Sequence, residues 1–418
     1  MLNSNRSALK ANKMAELKKT LGLAECIFFG VGSILGAGIY TLIGKVAGWS
    51  GNFIWLSFAI ASFTALCTAF SYAELSSGYP KAGGEYVYAQ EAFGKKTGIF
   101  LGSIISINGI VSGATVSIGF AGYLNELVGL GTLIAALSII GLIFLVNISG
   151  VRQSSVINII FTTIEIGGLI FVIIAAFPEL GKVNYVELPA KGVHGILIAA
   201  ALAFYAYIGF EDIVKLAEET KKPEKVIPRA LFITCAIVIS VYSLVAISAV
   251  SAVPHEQLGK SASPLADVVS NRFGQVGIVA ISVIALFSTS NTILSNMLGS
   301  SRVLLEMSKE TRWMKPLAYV SPKRKTPIGA LVLILVVMCA FALIGNIETI
   351  AQIATVFIFV TFMIVNLSVI VLRFKAPDRE RPYRIPWNIG KIPVFSLLGI
   401  ALTLFLLTYN FISLAEKS

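Results

Sequence analysis

Long apolar segments are the feature of this sequence that most restricts its fold. A helix needs roughly 20 apolar residues to cross a hydrocarbon core of about 30 Å. Only 13% of the 418 residues are charged and the mean hydropathy is +0.83, whereas soluble domains have about a quarter of their residues charged. These values exclude a soluble enzyme, a disordered chain and a disulfide scaffold, and they predict an all-α polytopic membrane protein. The eleven predicted membrane segments are residues 23–46, 52–75, 96–124, 131–149, 153–177, 192–213, 230–252, 274–300, 328–346, 349–372 and 391–414.

Basic residues alternate between the connections on the two sides of the predicted membrane. When the N-terminus is placed in the cytoplasm, the inner connections contain 27 of the 33 Lys and Arg residues. The positive-inside rule therefore predicts a multi-pass protein of the cell membrane with a cytoplasmic N-terminus and, after eleven segments, an external C-terminus. Nucleic acid binding is not expected despite the net charge of +11, because the basic residues flank apolar segments instead of forming one amphipathic surface.

Residues that typically perform catalysis or bind metals are sparse. The two histidines, His194 and His255, lie near predicted connections, and the four cysteines lie inside apolar segments without CxxC spacing. The sequence contains no Walker A motif. We therefore expect no metal, no cofactor and no enzymatic activity, and a secondary transporter is the interpretation that remains.

The first segment contains an unusual density of glycines. Gly30, Gly32, Gly36 and Gly38 fall within nine residues at its middle. Glycine lowers the cost of unwinding a helix, so this stretch favours an interruption. Close packing of two helices is the alternative, because Gly32 and Gly36 also fit a small-xxx-small pattern.

The sixth segment contains the corresponding signal in the second half of the chain. Within residues 204–212, Gly209 lies among aromatic residues, and Glu211 and Asp212 end the stretch. An interfacial aromatic belt and a polar helix end would also explain these residues. Interrupted helices at matching positions of two halves, however, are typical of transporter binding sites. Their free amides suit a carboxylate and their free carbonyls suit an ammonium group, so the expected substrate is an amino acid.

Three stretches of the chain, residues 32–39, 72–88 and 204–229, resemble the amino acid–polyamine–organocation superfamily of transporters, particularly its cationic-amino-acid-transporter-like branch. The resemblance implies a five-plus-five inverted-repeat fold with discontinuous helices 1 and 6. The repeats would be residues 23–177 and 192–372, preceded by a basic cytoplasmic segment, 1–22, and followed by a connection with helix 11, 373–418. Members of the family usually have twelve helices, one more than predicted here.

The resemblance also implies the residues of the substrate site. The substrate carboxylate would meet backbone amides at the start of the outer half of helix 1, and its ammonium would meet carbonyls of helices 1 and 6. Two tyrosines of helix 6 resemble gate or lid residues, although membrane packing explains them equally well. The predicted substrate-binding residues are Ile34, Gly36, Ala37, Gly38, Tyr205, Tyr207 and Ile208.

Acidic residues at the end of the sixth segment are candidates for a cytoplasmic gate. Glu211 lies near the predicted interruption, and Glu218 and Glu219 follow it. The pair 218–219 is explained by solvated charge beside a membrane helix. The alternative is a gate in which these acids bridge to Arg152 or Arg302 of the inner connections.

Glu165 lies at the middle of segment 5, the depth at which a charge is most costly. In proton-coupled relatives the aligned position is often a lysine, so the family mechanism does not carry over directly. Glu165 is either a neutral hydrogen-bonded residue, the proton carrier, or part of a cation site with polar residues of segment 8 such as Ser290 and Asn291. We favour the proton carrier, because a protonated acid is tolerated inside the membrane.

The predicted function is secondary active amino acid transport by alternating access, coupled to protons. The expected side-chain subsite offers Ser106, Asn108, Ser112 and Thr115 among apolar neighbours, which favours neutral amino acids. The alternatives are a sodium-coupled transporter, an exchanger, and a transport-deficient amino acid sensor with the same fold.

Overall fold

A computed structural model describes residues 17–261, 263–344 and 347–415, so most of the predicted basic segment 1–22 lies outside the described residues. A 3-10 segment (Phe210–Glu219) separates two helices, and a short antiparallel hairpin, β1 (Asn388–Ile389) and β2 (Ile392–Pro393), precedes the last helix. In chain order the helices are α1 (Leu23–Leu35), α2 (Ala37–Ser50), α3 (Ile54–Gly78), α4 (Glu85–Phe93), α5 (Lys95–Val128), α6 (Thr132–Ser149), α7 (Val151–Ala176), α8 (Gly192–Tyr205), α9 (Pro223–Ala252), α10 (His255–Lys260), α11 (Pro264–Glu310), α12 (Ile328–Ile344), α13 (Ile347–Lys375) and α14 (Val394–Ala415).

Every predicted membrane segment contains a described helix. Ten helical stretches among the described residues are long and apolar enough to cross a membrane, and α12 adds a shorter apolar helix. The all-α polytopic fold class is therefore confirmed, whereas the division into two inverted repeats stays a prediction. Segment 8 was predicted too short: α11 also includes polar residues on both sides of 274–300 and bends at Gly274, where φ is +55°.

Both predicted interruptions are present. In the first segment α1 ends at Leu35, and α2 begins at Ala37 after Gly36 with ψ of −162°. In the sixth segment α8 ends at Tyr205, and the chain turns before the 3-10 segment begins. The two interruptions differ in length, because the first takes one residue while the second changes the helix type over many residues.

Gly209 allows the two interruptions to cross. Its φ is +125°, a conformation that side chains disfavour. A Cβ atom at this position would lie 2.6 Å from the carbonyl oxygen of Ser33. A glycine is therefore required where the second interruption passes over the end of α1.

The connections rich in Lys and Arg gather at one end of the helical bundle, which we call the basic end. Contacts of Lys95, Arg302, Lys309 and Lys375 there connect the start of α5, the ends of α4, α11 and α13, and the end of the 3-10 segment. Two further contacts at this end join α13 to α3 and the backbone before α1 to the 3-10 segment. Arg373 of α13 pairs with the buried Glu74 of α3 at 2.5 Å. The backbone just before α1 joins the end of the 3-10 segment, where the Leu21 amide donates to the Glu219 carbonyl at 3.0 Å and the Lys221 amide donates to the Leu21 carbonyl at 2.9 Å.

Candidate functional site

A cavity of about 440 Å³ lies between the two interruptions. It extends from the exposed Gly119 of α5 towards charged residues of the 3-10 segment near the basic end. Polar residues of α5 and α11 face it together with apolar ones. The lining includes Ile34, Gly36, Gly38, Asn108, Ser112, Thr115, Tyr205, Ile208, Thr289, Thr292 and Asn296.

The first interruption presents unpaired backbone groups to this cavity. The first amides of α2, from Ala37 onwards, have no intrahelical acceptor, and no side chain caps them. Gly36 and Gly38 beside them line the cavity. At Gly38 an added Cβ would already lie 3.3 Å from the Ala206 Cα atom. A helix start of this kind, with its positive dipole end open, suits a carboxylate.

Tyr242 of α9 connects the two interruptions and was not predicted from the sequence. Its buried hydroxyl lies 2.7 Å from the Ile34 carbonyl oxygen and 3.1 Å from the Ala206 carbonyl oxygen. The Ile34 carbonyl, one predicted acceptor for the substrate ammonium, therefore already accepts a bond and keeps one lone pair. A single tyrosine in an apolar segment gives no sequence signal for this role.

The two predicted tyrosines of the sixth segment lie in different places. Tyr205 lines the cavity with Ile208. Tyr207 is absent from the lining: its hydroxyl lies 3.5 Å from the Phe58 carbonyl oxygen, and its ring packs edge-on against Phe58 and Tyr242. The placement of Tyr207 in the site is therefore corrected, because the turn after α8 rotates its side chain towards α3 and α9.

Glu165 lies within a buried cluster formed by α7 and α11. It is 0% exposed, and Asn291 donates to its Oε2 atom at 3.1 Å. The same side-chain amide nitrogen donates to the Thr162 hydroxyl at 3.0 Å, while the Asn158 side-chain amide donates to the Oδ1 atom of Asn291 at 2.8 Å. The other carboxylate oxygen, Oε1, has no hydrogen-bond partner. No Lys or Arg in the described ranges pairs with Glu165.

The structure brings only one of the two predicted segment 8 residues to Glu165. Asn291 contacts it directly. Ser290 instead donates its hydroxyl hydrogen to the Leu286 carbonyl at 2.7 Å, one turn back in α11. Ser288 is the second polar neighbour of Glu165, and its hydroxyl has no hydrogen-bond partner.

The acids at the end of the sixth segment are not solvated as a group. Glu219 is 0% exposed and forms two bonds with the buried Arg302 guanidinium, Nη2 to Oε1 at 2.9 Å and Nε to Oε2 at 3.1 Å. Glu218 pairs with the partly exposed Lys309 at 3.3 Å, and Lys309 also contacts Glu306. The structure therefore shows the predicted alternative, in which Arg302 bridges to the acidic pair Glu218 and Glu219, and the acid that it contacts is Glu219.

Glu211, the other gate candidate, lines the cavity close to the interruption. Its Oε2 atom accepts the Gly209 amide at 2.8 Å. Asp212 and Lys215 follow it and form a buried ion pair at 2.5 Å. Among the described residues, no group of three or more His, Cys, Asp and Glu side chains has the arrangement to hold a metal ion.

Comparisons with known proteins agree with this geometry. Residues 21–418 match the family model described as amino acid permease. The chain is similar to the Arabidopsis thaliana protein named cationic amino acid transporter 3, mitochondrial, with 30% identity over 405 residues, 91% of this chain and 66% of that protein. It is also similar to the branched-chain amino acid permease BcaP of Bacillus subtilis, with 27% identity over 414 residues, 94% of this chain and 88% of the relative. The chain thus spans just under two thirds of the plant relative.

Proposed function

Because the chain belongs to the amino acid permease family, we propose that the cavity between its two interrupted helices binds an amino acid and that the protein moves it across the membrane by alternating access. Amino acid transport is the activity that this membership and the relatives support. Those relatives are named as transporters or permeases and not as enzymes. We further propose that the basic end and the N-terminus face the cytoplasm of a cell.

The single observation that carries this proposal is the position of the cavity. It touches the unpaired amides at the start of α2 on one side and the turn after α8 on the other. An amino acid whose carboxylate is bound to the amides near Gly38 would have its ammonium group facing the carbonyls of Ile34, Tyr205 and Ile208. Donors and acceptors of this kind recognise the backbone of an amino acid whatever its side chain is.

We propose neutral amino acids as substrates. Around the interruption the cavity lining includes the uncharged residues Ile105, Asn108, Ser112 and Leu202. Of the nearby carboxylates, Glu211 already accepts the Gly209 amide and Asp212 already pairs with Lys215.

Uptake of labelled amino acids into proteoliposomes tests the substrate site. We expect alanine, leucine or phenylalanine to be taken up better than arginine or lysine. Gly38→Leu should abolish binding, because its side chain would fill the approach to the amides. The control is Gly141→Leu, since a Cβ at Gly141 of α6 meets no atom within 4 Å. Normal affinity in folded Gly38→Leu would contradict the site.

We propose that Glu165 carries the coupling proton. This proposal is supported by its full burial with a neutral amide donor and without a basic partner in the described part of the chain. A neutral acid is tolerated there, and ionisation is expected only when water or another acceptor reaches the carboxyl. The conformations that alternate would thus differ in whether Glu165 holds its proton.

Glu165→Gln separates coupling from transport. The variant keeps the shape and one hydrogen-bonding oxygen but cannot release a proton. We expect it to exchange labelled for unlabelled substrate at equal pH, and to lose accumulation driven by a pH gradient. Glu179→Gln, at an exposed acid just beyond α7, is the matched control. Accumulation that persists in Glu165→Gln would reject the coupling role.

A sodium site is the second candidate, and one observation favours it. The Glu165 Oε1 atom and the Ser288 hydroxyl are both buried and without hydrogen-bond partners, which leaves oxygen atoms free to bind a cation. Uptake that requires a sodium gradient and ignores pH would establish this alternative in place of the proton.

A further inference from the structure

The end of the cavity nearest the basic end contains four charged residues. Glu85 comes from the start of α4, and Glu211, Asp212 and Lys215 come from the 3-10 segment. All four line the cavity, and each is at most 8% exposed. Three carboxyl groups and one ammonium group therefore lie in one site that has little contact with water.

The partners of these carboxyl groups divide them into two kinds. Asp212 pairs with Lys215 at 2.5 Å, and Glu211 accepts the Gly209 amide at 2.8 Å. The pair with Lys215 suits an ionised carboxylate, whereas the donor to Glu211 is a neutral backbone amide. Glu85 differs from both, because the Tyr72 hydroxyl donates to its Oε1 atom at 3.2 Å and its Oε2 atom has no partner. Glu85 is thus the acid of this cluster that has neither a cation partner nor a partner for its second oxygen.

Burial without a dedicated cation favours the neutral form of an acid. Desolvation raises the pKa of Glu85 above its ordinary value, and the nearby Lys215 opposes that effect only in part. Its side chain is 1% exposed although α4 is a short helix outside the candidate membrane spans. Because the side chain is buried in this conformation, water reaches it only after the packing around the start of α4 opens.

The charged and titratable groups around Glu85 come from several elements. Tyr72 of α3 and Tyr88 of α4 face it, and the 3-10 segment supplies the three charged residues described above. The groups on the other packed helices have partners of their own, and Glu306 of α11 lies beside Gly83, just before α4. Lys375 of α13 bonds to the Glu91 carbonyl, Lys95 of α5 bonds to the Glu310 carbonyl, and Glu306 of α11 pairs with Lys309.

We propose that Glu85 is a second proton-binding carboxyl group, separate from Glu165, which is neutral while the basic end is closed and ionises when that end opens. On opening, the Glu85 carboxyl transfers its proton to water at the basic end. Closing requires the proton to return before the side chain is buried again. The inference rests on the proposed function only in that opening of the basic end is a step of transport.

The sign of the pH effect follows from linkage. The closed form binds the proton more tightly than the open form, since burial raises the pKa of Glu85 only while the end is closed. Higher pH therefore favours opening, and lower pH favours the closed form. A single proton limits the change to about tenfold in the opening equilibrium per pH unit.

Hydrogen–deuterium exchange on the purified full chain without substrate tests this inference. Peptides covering residues 85–93 and 210–219 report opening, after correction for the intrinsic pH dependence of exchange. Between about pH 4, just below the ordinary pKa of a glutamate, and about pH 8, we expect protection in the wild-type protein to fall with pH. Glu85→Gln should make this dependence clearly weaker.

Two further variants keep the test decisive. Glu91→Gln, at an exposed acid of the same helix, should retain the wild-type profile, and Glu85→Asp should retain a pH dependence with a shifted midpoint. Under the proposed function Glu165 also contributes to the pH profile, so the comparison is repeated in the Glu165→Gln background. A slope that remains in Glu165→Gln and is lost in Glu85→Gln/Glu165→Gln belongs to Glu85, so failure of coupling at Glu165 is distinguishable from failure at Glu85. A flat wild-type profile, or an unchanged slope in Glu85→Gln, would overturn the proposal.

Discussion

Glu165 and Glu219 are both 0% exposed, yet their surroundings are opposite. Glu219 receives two bonds from the Arg302 guanidinium, in a pair from which water is excluded. Glu165 receives one bond from the Asn291 amide and leaves its other oxygen unpartnered. The first arrangement requires a carboxylate ion, whereas the second tolerates a neutral acid.

The difference shows that burial alone does not determine what an acid does in a transporter. A buried guanidinium holds its partner ionised, because removing either charge leaves the other uncompensated. A neutral amide donor imposes no such requirement. The contrast supports our proposals that Glu219 carries a fixed charge and that Glu165 exchanges a proton during transport.

The largest effect is expected when Arg302 is removed. Arg302→Met leaves Glu219 buried without a cation, which costs roughly 3–5 kcal/mol of folding free energy. Thermal unfolding in detergent should show a large loss of stability, while Arg312→Met, at an exposed position, should show little change. The double variant Glu219→Leu/Arg302→Met should recover most of the loss, since buried pairs are often replaced by apolar residues without penalty. Equal losses in the single and double variants would contradict this explanation.

An intermediate effect is expected when the two buried acids are compared directly. Glu219→Gln removes the charge that Arg302 requires, and the bond of a neutral amide replaces only part of it, so we expect a loss of about 1–3 kcal/mol. Glu165→Gln substitutes a neutral group for an acid that we propose to be neutral, so it should lose less. The measurement is the same unfolding experiment at neutral pH. A larger loss for Glu165→Gln would mean that Glu165 is ionised in the folded state.

The smallest effect is expected at Lys309. It contacts Glu218 and Glu306 near Arg302, but its side chain is 29% exposed. Water screens such pairs, so Lys309→Met should change stability by about 0–1 kcal/mol. A loss as large as that of Arg302→Met would show that the number of ion pairs at the basic end, and not their burial, determines its stability.

Sequence patterns predicted the parts of this molecule that follow from local physics. Apolar length located the spans, and the glycines around Gly36 together with Gly209 located the two interruptions. Glu165 was identified by its depth in a segment, which depends only on counting residues. Its contact with Asn291 was proposed from the polar stretch of segment 8 and is present.

Rotation of side chains about irregular backbone was not predictable in this way. Tyr205 and Tyr207 are two residues apart, and the turn between them directs only Tyr205 into the cavity. Glu218 and Glu219 are neighbours in the 3-10 segment, and packing against Arg302 determines which of them is buried. The contacts of Tyr242 were not predictable for a related reason, since its two carbonyl partners become neighbours only after folding.

The contacts of α1 with the 3-10 segment have a mechanical consequence. The Tyr242 hydroxyl lies between the carbonyl of Ile34, near the end of α1, and that of Ala206, in the turn that precedes the 3-10 segment. At the other end, backbone bonds join Leu21, just before α1, to Glu219 and Lys221. We therefore expect α1 and the 3-10 segment to move as one rigid body during transport. A cross-link between α1 and the 3-10 segment should therefore leave the turnover rate nearly unchanged, while a cross-link from either element to α11 should stop it.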